Sequence, residues 1–545
     1  MGHYAMGVGH PSVRGEGTPC YTPHGSTVIG MLWFTVIWAS FGAHEVRGDD
    51  ATNRPLQIQN DGYIASGSCR ECHPDEFVSW HASYHRKMTQ IATPSAVLGR
   101  FDDVTLELFG NKYHLERDGD SYWVDIESPT DPDQKPRRVR RQVVMTTGSH
   151  HMQAYWFEST QTRLVQLLPF VYLLGDERWV PRRSVFMRSP SRPTVGSDKA
   201  HWNRVCIQCH ATHGVPEMVS RDLVDTRVAE FGIACEACHG PAEDHVRLRR
   251  KLREQSVSVP VTQPKDPIVQ PRRLTAARAS QVCGQCHSAF AFYNNKEDYN
   301  KWNKEGFRYR PGDTLTDTVH VIRRGKDLHL PVMRNLERSP TFMNEKFWSD
   351  GMLRVAGREY SGLIETPCYE RGELSCLSCH VMHRKKNDER PFEAWADDQL
   401  KPGMEGKSLH ASSQRACIGC HEAYQDPAQV TAHTHHNLKS SGSECYNCHM
   451  PHTSYGLLKA IRSHQIDSPS VQASLETGRP NACNLCHLDK SLGWTADQLQ
   501  TWYGVAKPNL TDDQRTITAS LLWLLYLVMR VSGCWSRGAW VGSRP

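Results

Sequence analysis

Sixteen of the nineteen cysteines in this 545-residue chain stand in eight copies of one pentapeptide, Cys-x-x-Cys-His. In chain order these are Cys69-Arg-Glu-Cys72-His73, Cys206-Ile-Gln-Cys209-His210, Cys235-Glu-Ala-Cys238-His239 and Cys283-Gly-Gln-Cys286-His287, then Cys376-Leu-Ser-Cys379-His380, Cys417-Ile-Gly-Cys420-His421, Cys445-Tyr-Asn-Cys448-His449 and Cys483-Asn-Leu-Cys486-His487. At these residue frequencies chance would supply roughly 0.04 such pentapeptides, so the repetition has a chemical cause. Two thiols three positions apart reach both vinyl groups of one porphyrin as thioethers, and the adjacent imidazole supplies an axial nitrogen to iron. Zinc knuckles pair two Cys-x-x-Cys units and have no use for a fifth-position His eight times over. A redox dithiol would occur once, ahead of a helix in an α/β domain. The reading is therefore eight covalent haem c groups with His73, His210, His239, His287, His380, His421, His449 and His487 as proximal iron ligands. Cys20, Cys368 and Cys534 are left over: the first precedes the apolar run Thr27 to Ala43, and the other two read as buried or unpaired thiols.

Each iron has a sixth position, and whether the chain only carries electrons or also turns over a substrate depends on what fills it. Of 29 histidines, eight are proximal and four (His3, His10, His24, His44) lie at or before the export boundary, which leaves 17 for eight distal places. The candidates are His85, His213, His245, His383, His464 and one of His433, His435 or His436, with His435 carried forward. The cluster His433-Thr-His435-His436 also has the donors for a separate metal. His150 and His151, followed by Met152, are placed to ligate or line a haem. Arg358 and Tyr360 have types suited to an anion site, though a structural turn explains them as well. No catalytic residue is assigned.

The run Cys69-Arg-Glu-Cys72-His73 followed by Trp80-x-x-Ser83-x-His85 resembles the start of the tetrahaem cytochrome c-554 family and its larger multihaem relatives. Gly232-Ile-Ala-Cys235-Glu-Ala-Cys238-His239-Gly240-Pro241 with His245, and Cys445-x-x-Cys448-His449-Met450-Pro451, are similar to further hallmarks of that group. The resemblance implies electron transfer in the periplasm or its equivalent, with His85 and His245 as distal ligands. Octahaem enzymes such as hydroxylamine oxidoreductase and tetrathionate or nitrite reductases share the motif count. Pentahaem nitrite reductases use Cys-x-x-Cys-Lys at the active haem, whereas all eight motifs here end in His.

The elements that must position these groups are less regular. First-cysteine intervals are 137, 29, 48, 93, 41, 28 and 38 residues, so motifs 2 to 4 and 6 to 8 form two similar triplets. The expected layout is an export segment at 1–44, a haem 1 segment at 45–100, a β-containing insert at 101–200 and a three-haem module at 201–300. A bridge with haem 5 at 301–400, a second three-haem module at 401–490 and a helical tail at 491–545 complete it. Val104 to Ser128 alternates apolar and polar residues and is broken by Gly110-Asn111 and Asp118-Gly119-Asp120, which predicts a β-meander of two or three strands. The fold class expected is mainly α: a loop-rich multihaem cytochrome c fold built around covalent haems, with that small β-meander as an insert. The cluster Arg137, Arg138, Arg140 and Arg141 reads as a solvated loop or a propionate neighbour, and Arg384 to Arg390 as a surface connector.

Composition agrees with cofactor-built cores. Hydrophobic residues are 39% and aromatics 9%, and the mean hydropathy is −0.57. The formal charge of +5, 64 basic against 59 acidic residues, is near balance and gives no nucleic-acid signature. Sixteen haem propionates would add roughly −16. Thr27 to Ala43 is an uncharged apolar run that marks export to the periplasm or the outer side of the cytoplasmic membrane, by cleavage near Ser40-Phe41-Gly42 or by retention as an anchor. Ile517 to Met529 is too short to span a bilayer and reads as a buried helix. The function expected is an electron relay through bis-His haems, with other redox proteins as donor and acceptor. The alternatives are an oxidoreductase acting on a small nitrogen or sulfur species at one five-coordinate haem, and a structural haem subunit of a membrane redox complex.

Overall fold

Alternating sequence at Val104 to Ser128 does produce a meander, but it is only the first part of a much larger sheet. The structure, a computed structural model, describes residues 53–128, 137–186, 202–254, 265–294, 296–404 and 414–521. The Thr27–Ala43 segment and residues 522–545 of the C-terminal tail lie outside the described residues. In chain order the strands are β1 (Leu56–Gln57), β2 (Thr89–Ile91), β3 (Val104–Leu108), β4 (Asn111–Asp118), β5 (Ser121–Ser128) and β6 (Arg137–Thr147). They continue with β7 (Met152–Glu158), β8 (Val165–Leu173), β9 (Arg178–Pro181), β10 (Ala211–Val215) and β11 (Arg227–Phe231). Strands β3 to β9 follow one another in one antiparallel sheet, and β2 joins it as an eighth strand by pairing with the C-terminal half of β6. A mainly α fold with a small insert is therefore incorrect: an eight-stranded antiparallel sheet is the largest regular element.

The expected meander is β3, β4 and β5. Phe109 and Gly110 both take positive φ in the two-residue turn between β3 and β4, the conformation that lets two paired strands keep their twist. The arginine cluster lies on β6. Arg140 faces Asp125 and Arg138 faces Glu127 across the β5–β6 pair, each in an ion pair, so these two charges are paired along a strand rather than held in a loop.

Both faces of the sheet are covered. Leu168, Phe170 and Tyr172 of β8 enter one core with Phe101, Leu115, Val124 and Tyr155. Val165 and Leu167 point the other way, into a core with Met145, Trp156, Trp202, Ile207, Val228 and Phe231. That second core fastens the sheet to motif 2, through Ile207, and to the smaller sheet of β1, β11 and β10. Leu168 is fully buried. Leu168→Ala is expected to cost about 2–5 kcal/mol, read as a lower denaturant midpoint of the haem-loaded protein with an unchanged slope.

The motif-bearing segments are short helical turns joined by loops. Among the described residues no helix exceeds the 12 residues of Glu243–Glu254, Ala276–His287 and Leu492–Tyr503, and none is long and apolar enough to cross a membrane. Ala519 is buried beside Leu492 and Ala496, so the start of the Ile517 to Met529 run packs inward.

Candidate functional site

Each motif is wound so that its three functional side chains leave together. The N–H of the motif histidine donates to the carbonyl of the first cysteine, at 2.9 Å for His73 on Cys69, His380 on Cys376 and His487 on Cys483, and at 3.0 Å for His421 on Cys417. In such a turn positions i, i+3 and i+4 share one side. Short polar caps hold several turns in place: Ser375 and Ser378 form a capping box on motif 5, and Asn481 accepts from the N–H of Cys483. All sixteen motif cysteines are free of disulfides.

Six motif histidines face a second imidazole. The ring centroids are 6.4 Å apart for His73 and His245, 6.3 Å for His239 and His383, and 6.2 Å for His287 and His85. They are 6.3 Å apart for His380 and His464, 6.2 Å for His449 and His433, and 6.0 Å for His487 and His436. Two imidazoles bound to opposite sides of one metal ion, at about 2.0 Å per bond and with each ring centre roughly 1.1 Å behind its nitrogen, have centres about 6.3 Å apart. The spacing fits an iron between each pair.

The back of these rings is fixed as well. Nδ1 of His239 bonds the carbonyl of Val269 at 2.7 Å, His380 that of Asp398 at 2.8 Å, and His449 that of Asp467 at 2.9 Å. His287 Nδ1 instead meets the Glu359 carboxylate at 2.7 Å, and His245 Nδ1 meets Asp266 at 2.7 Å. Engaging Nδ1 leaves Nε2 to face the partner ring, which is how second-layer groups orient metal-binding imidazoles. Burial pushes His85, His380 and His383 down to about 4, so their rings are neutral, the form that offers a lone pair.

Separate elements bring distant residues into these pairs. His85 lies four residues before β2; Ile233 N donates to His85 O at 3.1 Å and Trp80 Nε1 to Ile233 O at 2.8 Å, so the sheet and motif 3 together fix its position. Motif 1 is tied to motif 3 by two buried carboxylates. Glu236 accepts from the N–H groups of Ile64, Ala65 and Ala242, and Glu230 accepts from Ser66 N and Oγ and from Arg86.

The motifs approach one another in a defined succession. The thiols of Cys69 and Cys235 lie within hydrogen-bonding range, as do those of Cys209 and Cys286, Cys283 and Cys376, and Cys417 and Cys445. Cys238 is close enough to Cys283 and Cys286 for their charges to interact, as Cys379 is to Cys417 and Cys448 to Cys483 and Cys486. The spatial order is thus motif 1, 3, 4, 5, 6, 7, 8, with motif 2 joined to motif 4. Motif 4 is the junction.

Two sequence candidates stand elsewhere. His213 stacks on Tyr63 at 4.3 Å and its Nε2 is 2.9 Å from the Asp61 carboxylate. His435 takes a left-handed backbone, φ 56°, and stacks on Trp502 at 4.3 Å, while its neighbours His433 and His436 face motif histidines. His210 and His421 have no such partner ring among the described residues; His201 and His410, near them in sequence, lie outside those residues. Sequence reasoning missed Glu359, Asp266, Glu230 and Glu236, since nothing in their local spacing marks them.

The expected connector at Arg384 to Arg390 is a packed knot beside motif 5. Asp388, 7% exposed, accepts from Arg390 N, Nε and Nη2, and Arg390 Nη2 also reaches Leu400 O at 2.9 Å. The Arg390 hydrogen bonds hold the Asp388 carboxyl below its ordinary value. Its contribution to stability is therefore present above the unfolded carboxyl pKa and lost as pH falls through the lower folded one. Asp388→Asn is expected to cost about 1–3 kcal/mol at neutral pH, with the gap to the parent closing in acid, measured by denaturant titrations across pH.

Residues 185–240, which carry motifs 2 and 3, match the family model described as cytochrome c554 and c-prime. Among solved structures, the outer cell wall cytochrome OcwA is similar at 17% identity, covering 81% of this chain and 87% of that one with a TM-score of 0.46. No curated protein matches the sequence.

Proposed function

We propose that this multihaem c-type cytochrome, whose role is electron transfer, binds eight haem c groups, one per Cys-x-x-Cys-His motif, and relays electrons outside the cytoplasmic membrane between other redox proteins. Bound haem c supplies reversible one-electron exchange at iron. The chain's own residues attach it, clamp it and set its surroundings. The sixteen motif cysteines would form the thioethers, and the irons would be held by His73 with His245, His239 with His383, His287 with His85, His380 with His464, His449 with His433 and His487 with His436. His210 and His421 complete the proximal set. The observation that carries the reading is the group of six imidazole pairs at 6.0–6.4 Å. Export is supported by the apolar run Thr27 to Ala43. The two motif triplets are read as three-haem modules at 201–300 and 401–490, with haem 5 bridging them.

The test is the intact mass and haemochrome spectrum of the protein matured in a host that attaches haem c. Eight covalent haems are expected. A mass without covalent haem, or with fewer than eight on fully matured protein, overturns the proposal. The surroundings of His210 favour a second reading, an oxidoreductase acting on a small nitrogen or sulfur species: the half-buried ring has its Nδ1 sealed from solvent without a hydrogen-bond partner, and desolvation, then the nearby Arg358 cation, pushes its pKa down to about 4. A high-spin ferric signal shifted by nitrite, hydroxylamine or cyanide would establish that reading, and a wholly low-spin spectrum unmoved by them would remove it.

A further inference from the structure

Outside the paired rings, the turn between β6 and β7 presents two consecutive histidines to one side. Gly148 takes φ +90° there, and a Cβ on it would lie 2.4 Å from the carbonyl oxygen of Met152, so only glycine permits the turn. The turn is pinned on both sides, by Gly148 N donating to Met88 O at 2.8 Å and Leu174 N to His151 O at 3.0 Å. The His150 and His151 rings come within 3.6 Å, and Tyr84 stacks on His150 at 4.0 Å and fixes its plane. Asp397, next after the short helix Phe392–Ala396, brings its carboxylate onto His150 Nε2. One ligand atom from each of His150, His151 and Asp397 lies within 4.8 Å of the others.

We propose that His150, His151 and Asp397 form a site for a borderline divalent transition-metal ion, separate from the haem irons. Two imidazole nitrogens and one carboxylate oxygen are the donors preferred by zinc, ferrous iron, nickel or copper, whereas calcium and magnesium take oxygen ligands. Three protein ligands leave a further coordination place for water or a small anion. The site is reachable: His150 is 24% and Asp397 55% exposed at the side chain. Its present occupant is the Lys459 ammonium, whose Nζ sits 2.7 Å from His151 Nδ1. Lys459 is exposed, so its flexible side chain swings into solvent when a metal ion enters, and it competes with that ion for the His151 lone pair. Asp398, whose carbonyl holds His380 Nδ1 at 2.8 Å, is the next residue after Asp397. A metal ion here would therefore brace the peptide that orients the motif 5 imidazole.

Equilibrium dialysis of the haem-loaded protein against zinc chloride, with zinc and iron counted separately by atomic emission, tests the site. One zinc per chain is expected, with about tenfold or greater loss of affinity in His151→Ala and in the surface variant Asp397→Asn, and tighter binding in Lys459→Met. Unchanged haem content and absorbance in each variant show that it has folded. Zinc binding that is absent from the parent, or equal in parent, His151→Ala and Asp397→Asn, overturns the proposal. Because the zinc count does not depend on the number of haems attached, its outcome is independent of the electron-relay reading.

Discussion

Replacing Glu359 by Gln is expected to raise the midpoint potential of the haem attached at Cys283 and Cys286 and to leave the other potentials nearly unchanged. The Glu359 carboxylate bonds His287 Nδ1 at 2.7 Å through one oxygen and accepts from Gly357 N at 2.7 Å through the other, so it cannot turn away. A carboxylate on Nδ1 makes the ring a stronger donor at Nε2 and favours the ferric state, while the backbone carbonyls behind His239, His380 and His449 do this less. Asp266, the other carboxylate in such a position, is shared with Arg249, which offsets its charge. The amide of Gln keeps a hydrogen bond but loses the charge, worth about 1–2 kcal/mol. At 59 mV per tenfold change in a one-electron equilibrium, that is an upward shift of roughly 40–90 mV. The place matters because motif 4 adjoins three others: its Cys286 and Cys283 thiols lie within hydrogen-bonding range of Cys209 and Cys376, and Gln285 Nε2 donates to Ala237 O of motif 3 at 2.9 Å. A low potential there makes the junction a barrier rather than a sink, and the variant should slow electrons entering the branch at motif 2. Spectroelectrochemical titration of Glu359→Gln beside the parent decides it; superimposable curves would mean that the carboxylate does not tune this iron.

What could be seen in the sequence and what could not divides along a physical line. Covalent attachment depends on residues three and four apart, so all eight motifs are legible from local spacing. Axial partnership depends on the tertiary fold. His245 faces His73 and not its near neighbour His239, and His85 faces His287, so proximity in sequence gives the wrong motif for both. His85, His245, His383 and His464 stand out as imidazoles in motif-rich stretches, but their pairings do not. The sheet is hidden for a different reason. Val165–Leu173 is buried on both faces, which removes the alternation that reveals a half-exposed strand. The Arg137 to Arg141 run reads as a solvated loop; Arg137, Arg138 and Arg140 are exposed, but the run is a strand because β5 supplies Asp125 and Glu127 opposite it. The meander at Val104 to Ser128 was legible because its strands keep one wet face and its turns carry glycine.

The cluster His433-Thr-His435-His436 separates local from tertiary reasoning most directly, and of the three alanine substitutions there two should each change the spin state of one iron while the third is silent. The helix Pro427–Thr434 ends where His435 turns left-handed, and that turn sends its ring onto Trp502, 4.3 Å away. His433, still in the helix, lies parallel to His449 at 3° between planes, and His436, just past the turn, faces His487 with Nδ1 bonded to Thr434 O at 2.5 Å. His433→Ala and His436→Ala should therefore each convert one low-spin iron to a high-spin one that takes up cyanide or added imidazole, because each removes the imidazole that faces the motif histidine. His435→Ala should leave the spin state as it is and cost only the stacking on Trp502, about 0.5–1.5 kcal/mol. Electron paramagnetic resonance of the three ferric variants, with haem content held equal, reads all of this at once. High-spin iron in His435→Ala together with an unchanged His433→Ala would reverse the assignment and place His435, the residue that local spacing suggests, on the iron.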